Sequence, residues 1–239
     1  MKELLALAAV TAAMAVSQAL ADFIPLPVKW SQPIGYEPGT GVIIGKDRLS
    51  DHTVNVVRAD DFICNDPLPI VAVRWWGSYI GEGPNGLPPR PTTPPATVAF
   101  DLDFYASTGG PHPVSLPTAL LLGQIVFAQE DFVGVDQTGE YVYRYDAYLT
   151  QPFFQQGTTA NPVEYFMAID QPSGQAWGWH EAPTLFMDSP AFSPAHGGPW
   201  TSIAPMHDLA FELMTIPEPG VATLGGFGLL ALLISRRRR

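Results

Sequence analysis

Apolar and polar residues alternate with a period of two through most of the chain. In residues 97–107, Val98, Phe100, Leu102 and Phe104 alternate with Ala99, Asp101, Asp103 and Tyr105, the pattern of a strand with one buried face. Val163, Tyr165, Met167 and Ile169 repeat it against Glu164, Phe166 and Ala168. Leu209, Phe211 and Leu213 do so against Asp208, Ala210 and Glu212, and Tyr141, Tyr143 and Tyr145 form a ladder against Val142, Arg144 and Asp146. Further strands are predicted over residues 54–64, 70–80, 124–129 and 177–180. Residues 81–95 carry Pro84, Pro88, Pro89, Pro91, Pro94 and Pro95, too many missing backbone donors for a ladder, and so form a surface loop. No stretch of the middle holds ten residues of 3.6 periodicity, and no internal repeat is visible. Many short strands separated by turn residues predict an all-β domain over residues 22–214. Its expected form is two packed antiparallel sheets, a β-sandwich of jelly-roll type.

The two ends follow other rules. Residues 1–21 run from Lys2 through an apolar stretch to Ala19-Leu20-Ala21, the layout of a signal peptide cleaved before Asp22. Residues 215–239 hold Pro217-Glu218-Pro219, Gly220, an apolar run over residues 221–234, and the block Arg236, Arg237, Arg238 and Arg239. Fourteen apolar residues are short for a ~30 Å hydrocarbon core, which takes about 20. Thr215, Ile216 and the arginine stems would extend the run into a single transmembrane helix. Terminal arginines stay on the cytoplasmic side as a stop-transfer block, which puts the bulk of the chain outside, in agreement with the signal peptide.

From Pro217 to its end the chain resembles the PEP-CTERM sorting domain of Gram-negative bacteria. The resemblance implies that Pro217, Glu218 and Pro219 are recognised by the membrane protease-transpeptidase exosortase. It implies transient anchoring in the inner membrane, then release to the cell surface or an extracellular matrix rich in exopolysaccharide. Signal peptidase and exosortase would be the partners during export. Within the middle, Ala59-Asp60-Asp61-Phe62 and Arg74-Trp75-Trp76-Gly77-Ser78-Tyr79 are similar to segments of β-rich modules found upstream of such tails. That likeness favours a non-catalytic module.

Charge sharpens the picture. From Asp22 to Pro219 there are 7 Lys and Arg against 22 Asp and Glu, a net of −15, and such a field repels phosphate backbones, excluding nucleic acid as a partner. Cys64 is the only cysteine, so no intrachain disulfide forms; its apolar setting predicts a buried, inert thiol. No nucleophile elbow, phosphate loop or zinc-protease helix is present. His52, His112, His180, His196 and His207 are scattered, four of them near Pro or Gly in expected loops, with a metal site assembled from distant histidines left open.

The carboxylates offer more. Asp101 and Asp103, two residues apart on one strand, share a face about 7 Å apart and are candidate calcium ligands; the competing reading is a solvated strand face. Asp60, Asp61 and Asp66 bracket another strand. A carboxylate pair could also serve a glycoside hydrolase, and an exposed tryptophan among Trp75, Trp76, Trp177, Trp179 and Trp200 could stack on a sugar. Trp75 and Trp76 must point to opposite sheet faces, so only one is expected in the core. The sequence therefore predicts an exported, non-enzymatic β module of the cell surface or matrix, with calcium as its only candidate cofactor. The alternative is a carbohydrate-active hydrolase or lectin-like module using surface carboxylates and tryptophan.

Overall fold

The structure, a computed structural model, describes residues 23–24, 26–84, 96–109, 115–172, 176–186, 188–202 and 207–216. The predicted signal peptide, the Pro217–Pro219 motif, the apolar run and the arginine block lie outside these residues, as does His112. No α-helix occurs among the described residues. Fourteen strands do: β1 (Val28–Gln32), β2 (Gly35–Tyr36), β3 (Ile43–Ile44), β4 (Asp47–Leu49), β5 (Val57–Cys64), β6 (Ile70–Tyr79) and β7 (Ala96–Ser107), followed by β8 (Pro117–Val135), β9 (Tyr141–Phe153), β10 (Val163–Asp170), β11 (Trp177–His180), β12 (Ala191–Ser193), β13 (Thr201–Ser202) and β14 (Phe211–Met214).

Twelve of these join one antiparallel sheet in the order β1-β14-β6-β9-β8-β7-β10-β5-β12-β13, with β11 branching from β6 and β4 from β11. Strands β2 and β3 pair separately. The expectation of two hydrogen-bonded sheets is thus met differently: one long sheet curls until its halves face each other. Phe62 of β5 reaches Phe211 of β14, with ring centroids 6.4 Å apart, although five strands lie between β5 and β14 in the sheet order. Twist accumulating strand by strand bends a long sheet in this way, and its apolar face becomes the inner one.

The inner face follows the period-two register. Phe100, Leu102 and Phe104 of β7 point inward and are fully buried. They meet Trp75 stacked on Tyr145 (5.6 Å) and Trp177, whose ring lies 5.1 Å from that of Phe100. Each such ring removes roughly 150–250 Å² from water, and this burial dominates the core.

The outer face is not bare. Trp76 packs with Ile34, Ile43, Val142, Ala182 and Ala210, so both adjacent tryptophans are buried, each in its own cluster. The cover comes from Ile34 and Ile43 on one side and Ala182 and Ala210 on the other. A second outer cluster holds Tyr105, Phe166, Ala168 and Trp200, and it supports the site described next.

Candidate metal centre

In antiparallel pairing, residues opposite each other share a face. Asp101 of β7 lies opposite Asp170 of β10, and Asp103 lies opposite Ala168, so both predicted aspartates project from the outer face. Opposite Asp103 on β8 is Gly123, where an added Cβ would stand 2.7 Å from Asp103 Oδ1; the absent side chain leaves room for this carboxylate.

Two loops bring histidines to the carboxylates. Before β5 the chain makes a 3-10 turn, His52–Val54, whose Asp51 cap accepts a bond from the Thr53 amide. Ser50 fastens this turn to the sheet: its hydroxyl donates to the Ile169 carbonyl (2.6 Å) and accepts from the Arg58 amide (3.1 Å). The His52 amide donates to Asp170 Oδ2 at 3.2 Å, and its Nδ1 contacts the same oxygen. After β12, Gly197 and Gly198 take φ of 82° and 90°, the left-handed region that glycine enters freely. The loop thereby turns back over the sheet. Trp200 packs edge-on against Tyr105 (5.3 Å), and the Gly197 amide donates to the Tyr105 hydroxyl.

His196 sits at the centre. Its Nδ1 is 2.8 Å from Asp103 Oδ2, which also accepts from the Tyr105 hydroxyl at 2.7 Å. Its Nε2 is 2.8 Å from Asp170 Oδ1, yet no well-directed hydrogen bond reaches that buried oxygen, so this is a contact of charges. The hydrogen bond to Asp103, with the Asp170 carboxylate beside the other nitrogen, raises the imidazole pKa to about 10, so a cation binding at Nε2 must displace the proton held there. Burial, then the Asp170 charge, raises the Asp101 carboxyl. Burial, then Asp103, raises the Tyr105 phenol, which keeps it a donor.

One ligand atom from each of His52, Asp101, Asp170 and His196 lies within 4.8 Å of the other three. Asp170 is buried at the floor, while the side chains of His52 and His196 keep about a third of their surface exposed (34% and 33%). Two imidazoles and two carboxylates suit a zinc-class transition ion better than calcium, which prefers six to eight oxygens. Asp103 stands behind the cluster: its bond to Nδ1 orients His196 and frees Nε2 to be a ligand.

Of the sequence candidates, Asp101 enters the cluster and Asp103 supports it. His52 and His196, read as loop histidines, do lie in loops but converge on Asp170; nothing in the local sequence marks that convergence. His180 ends the predicted 177–180 strand, β11, and is fully buried rather than exposed to solvent. Asp60 and Asp61 fall inside β5 rather than at its ends, and Asp66 beyond it pairs with Lys29 at 2.7 Å. Asp60, Asp61 and Asp208 are buried, and burial together with the neighbouring carboxylates raises Asp61 to about 8, burial foremost raising Asp208 to about 6. Trp75, Trp76, Trp177, Trp179 and Trp200 are all buried, so none offers a sugar-stacking platform. Cys64 is buried and free; its thiol donates to the Asp66 carbonyl.

A curled antiparallel sheet carrying a two-imidazole, two-carboxylate cluster on its outer face defines an all-β domain with a candidate metal centre. The chain belongs to the family described as Domain of unknown function (DUF7901), which matches residues 28–214. No curated protein and no solved structure matches it.

Proposed function

We propose that this chain is an exported, non-enzymatic module of the bacterial cell surface or extracellular matrix that holds a zinc-class divalent cation through His52, Asp101, Asp170 and His196. The observation that carries the metal reading is the convergence of four ligand atoms from four chain segments within 4.8 Å, with His196 anchored from behind by Asp103. In this reading the curled sheet serves as a jelly-roll-like sandwich, and the cation fastens the 52–54 turn and the 194–200 loop to its outer face.

The export reading rests on residues 1–21 and on the resemblance of Pro217–Arg239 to exosortase substrates. The metal gives the module a use in the matrix. The chain is strongly acidic and repels an acidic exopolysaccharide, whereas a cation with a solvent-facing side can accept a polysaccharide carboxylate or hydroxyl and bridge the two.

The test is equilibrium dialysis of the full-length protein, stripped with chelator, against zinc and calcium separately. Zinc should bind with higher affinity than calcium, and the His52→Ala/His196→Ala double variant should lose one equivalent of zinc. Equal zinc binding by that variant and the parent would remove the proposed centre.

A further inference from the structure

Asp47, Asp136 and His180 meet away from the outer-face cluster, on segments that contribute nothing to it. Asp47 of β4 lies opposite His180 of β11, and Asp136 follows the end of β8. His180 and Asp136 have fully buried side chains. Oδ2 of Asp136 and Nε2 of His180 are buried with no hydrogen-bond partner, and the buried carboxylate of Asp47 beside them has only the Ser78 side chain as a neighbouring donor. Two orphaned polar atoms facing one another beside a third buried carboxylate are rare, because an unmade buried hydrogen bond costs about 1–3 kcal/mol, more for a charged group.

Each of the two buried side chains is already held by its other atom. Asp136 Oδ1 accepts from the Thr138 amide (2.8 Å), the Thr138 hydroxyl (2.8 Å) and the Glu140 amide (3.0 Å). His180 Nδ1 donates to the Glu181 carbonyl at 2.8 Å, which leaves Nε2 as the lone-pair nitrogen. Nε2 and Asp136 Oδ2 stand 3.8 Å apart, too far for a hydrogen bond. That separation fits two ligands of a common ion with bonds of about 2.0–2.2 Å. One ligand atom from each of the three residues lies within 4.8 Å of the other two. No Lys or Arg forms an ion pair with Asp47 or Asp136 among the described residues.

The surroundings are shaped to the group. A Cβ on Gly178 would stand 2.7 Å from Asp47 Cβ, and one on Gly45 would stand 3.1 Å from His180 Cε1.

We infer that Asp47, Asp136 and His180 form a second, buried site for a zinc-class divalent cation. The cation neutralises the carboxylates and staples the 43–49 segment and the 136–140 turn to β11. One nitrogen and two carboxylates suit zinc or manganese. The site is closed to solvent, so its role is structural.

The experiment uses the full-length protein, stripped and then dialysed against zinc, with metal counted by mass spectrometry and folding followed by circular dichroism. The parent should hold two zinc ions per chain. The His52→Ala/His196→Ala variant should hold one and keep a zinc-dependent rise in Tm of roughly 5–10 °C. Adding Asp136→Asn, which keeps the turn-capping oxygen, should abolish both the remaining ion and that rise. Asp47→Asn, which caps no turn, should do the same and serves if the first variant fails to fold. A parent with a single ion that is lost with Asp136→Asn supports this site and removes the outer-face one. A folded His52→Ala/His196→Ala variant that binds no zinc, or one that keeps its ion after either asparagine substitution, overturns the inference.

Discussion

His196 gives one ring nitrogen to Asp103 and turns the other toward Asp170, so Asp103 acts on a bound cation through the imidazole and not by touching it. Removing such an outer partner typically costs 10–100-fold in metal affinity. Asp103→Asn should therefore lower zinc affinity at the outer-face centre by about that factor, measured by competition with a chromophoric chelator, while the circular dichroism spectrum stays that of the parent. Unchanged affinity would place Asp103 outside the metal's influence. In the core, Phe100 touches Trp75, Tyr145 and Trp177 at once. Truncating it leaves a cavity that three rigid rings cannot close, so Phe100→Ala should cost about 3–5 kcal/mol in urea unfolding. A loss below about 1 kcal/mol would mean that the core repacks.

Strands with one buried face were legible because alternation is a local property. The 97–107 and 163–169 predictions became β7 and β10 with ends within a residue or so. Strand β8 was read as 124–129 but runs from Pro117 to Val135. Its Leu120, Leu121, Ile125 and Phe127 are exposed, so apolar residues occupy both faces and blur the period. The two- and three-residue strands are defined by partners rather than by pattern, and Val54, expected to open the 54–64 strand, instead ends the 3-10 turn His52–Val54. The site was half legible for the same reason. Asp101 and Asp103 share a face by spacing alone. Asp170 and His52 are 118 residues apart, and only the strand order β7-β10-β5 and two loops bring them together.

One strand also carries a pH dependence. Asp61 of β5 has its pKa raised to about 8, by burial first and then by the charge of Asp208; Asp208 is raised to about 6, mainly by burial. The folded chain therefore holds these protons at pH values where the unfolded chain, with carboxyls near 4, has lost them. Their stabilising contribution is complete below about pH 4 and is lost as pH rises through 6 and then 8. In chelator, the urea midpoint should fall from pH 5 to pH 9, and Asp61→Asn should flatten the fall. A midpoint that rises over that range would contradict the assignment.

At the scale of the whole molecule, the proposal joins the acidic composition, the two ends and the outer-face cluster in one reading, an exported module that is released and works where divalent metal is available. In the proposed reading Pro217, Glu218 and Pro219 are the sorting motif. Replacing Pro217, Glu218 and Pro219 together by alanine should leave export intact and make uncleaved protein accumulate in the inner-membrane fraction. Normal processing of that variant would remove the sorting role. The most direct test of the account as a whole is native mass spectrometry of the protein recovered from the medium or matrix of producing cells. The account predicts a chain that begins at Asp22, lacks residues 221–239 and carries bound divalent transition metal, with one ion fewer in the His52→Ala/His196→Ala variant. A folded released chain free of metal, or one found only inside the cell with residues 1–21 and 221–239 still attached, would contradict it.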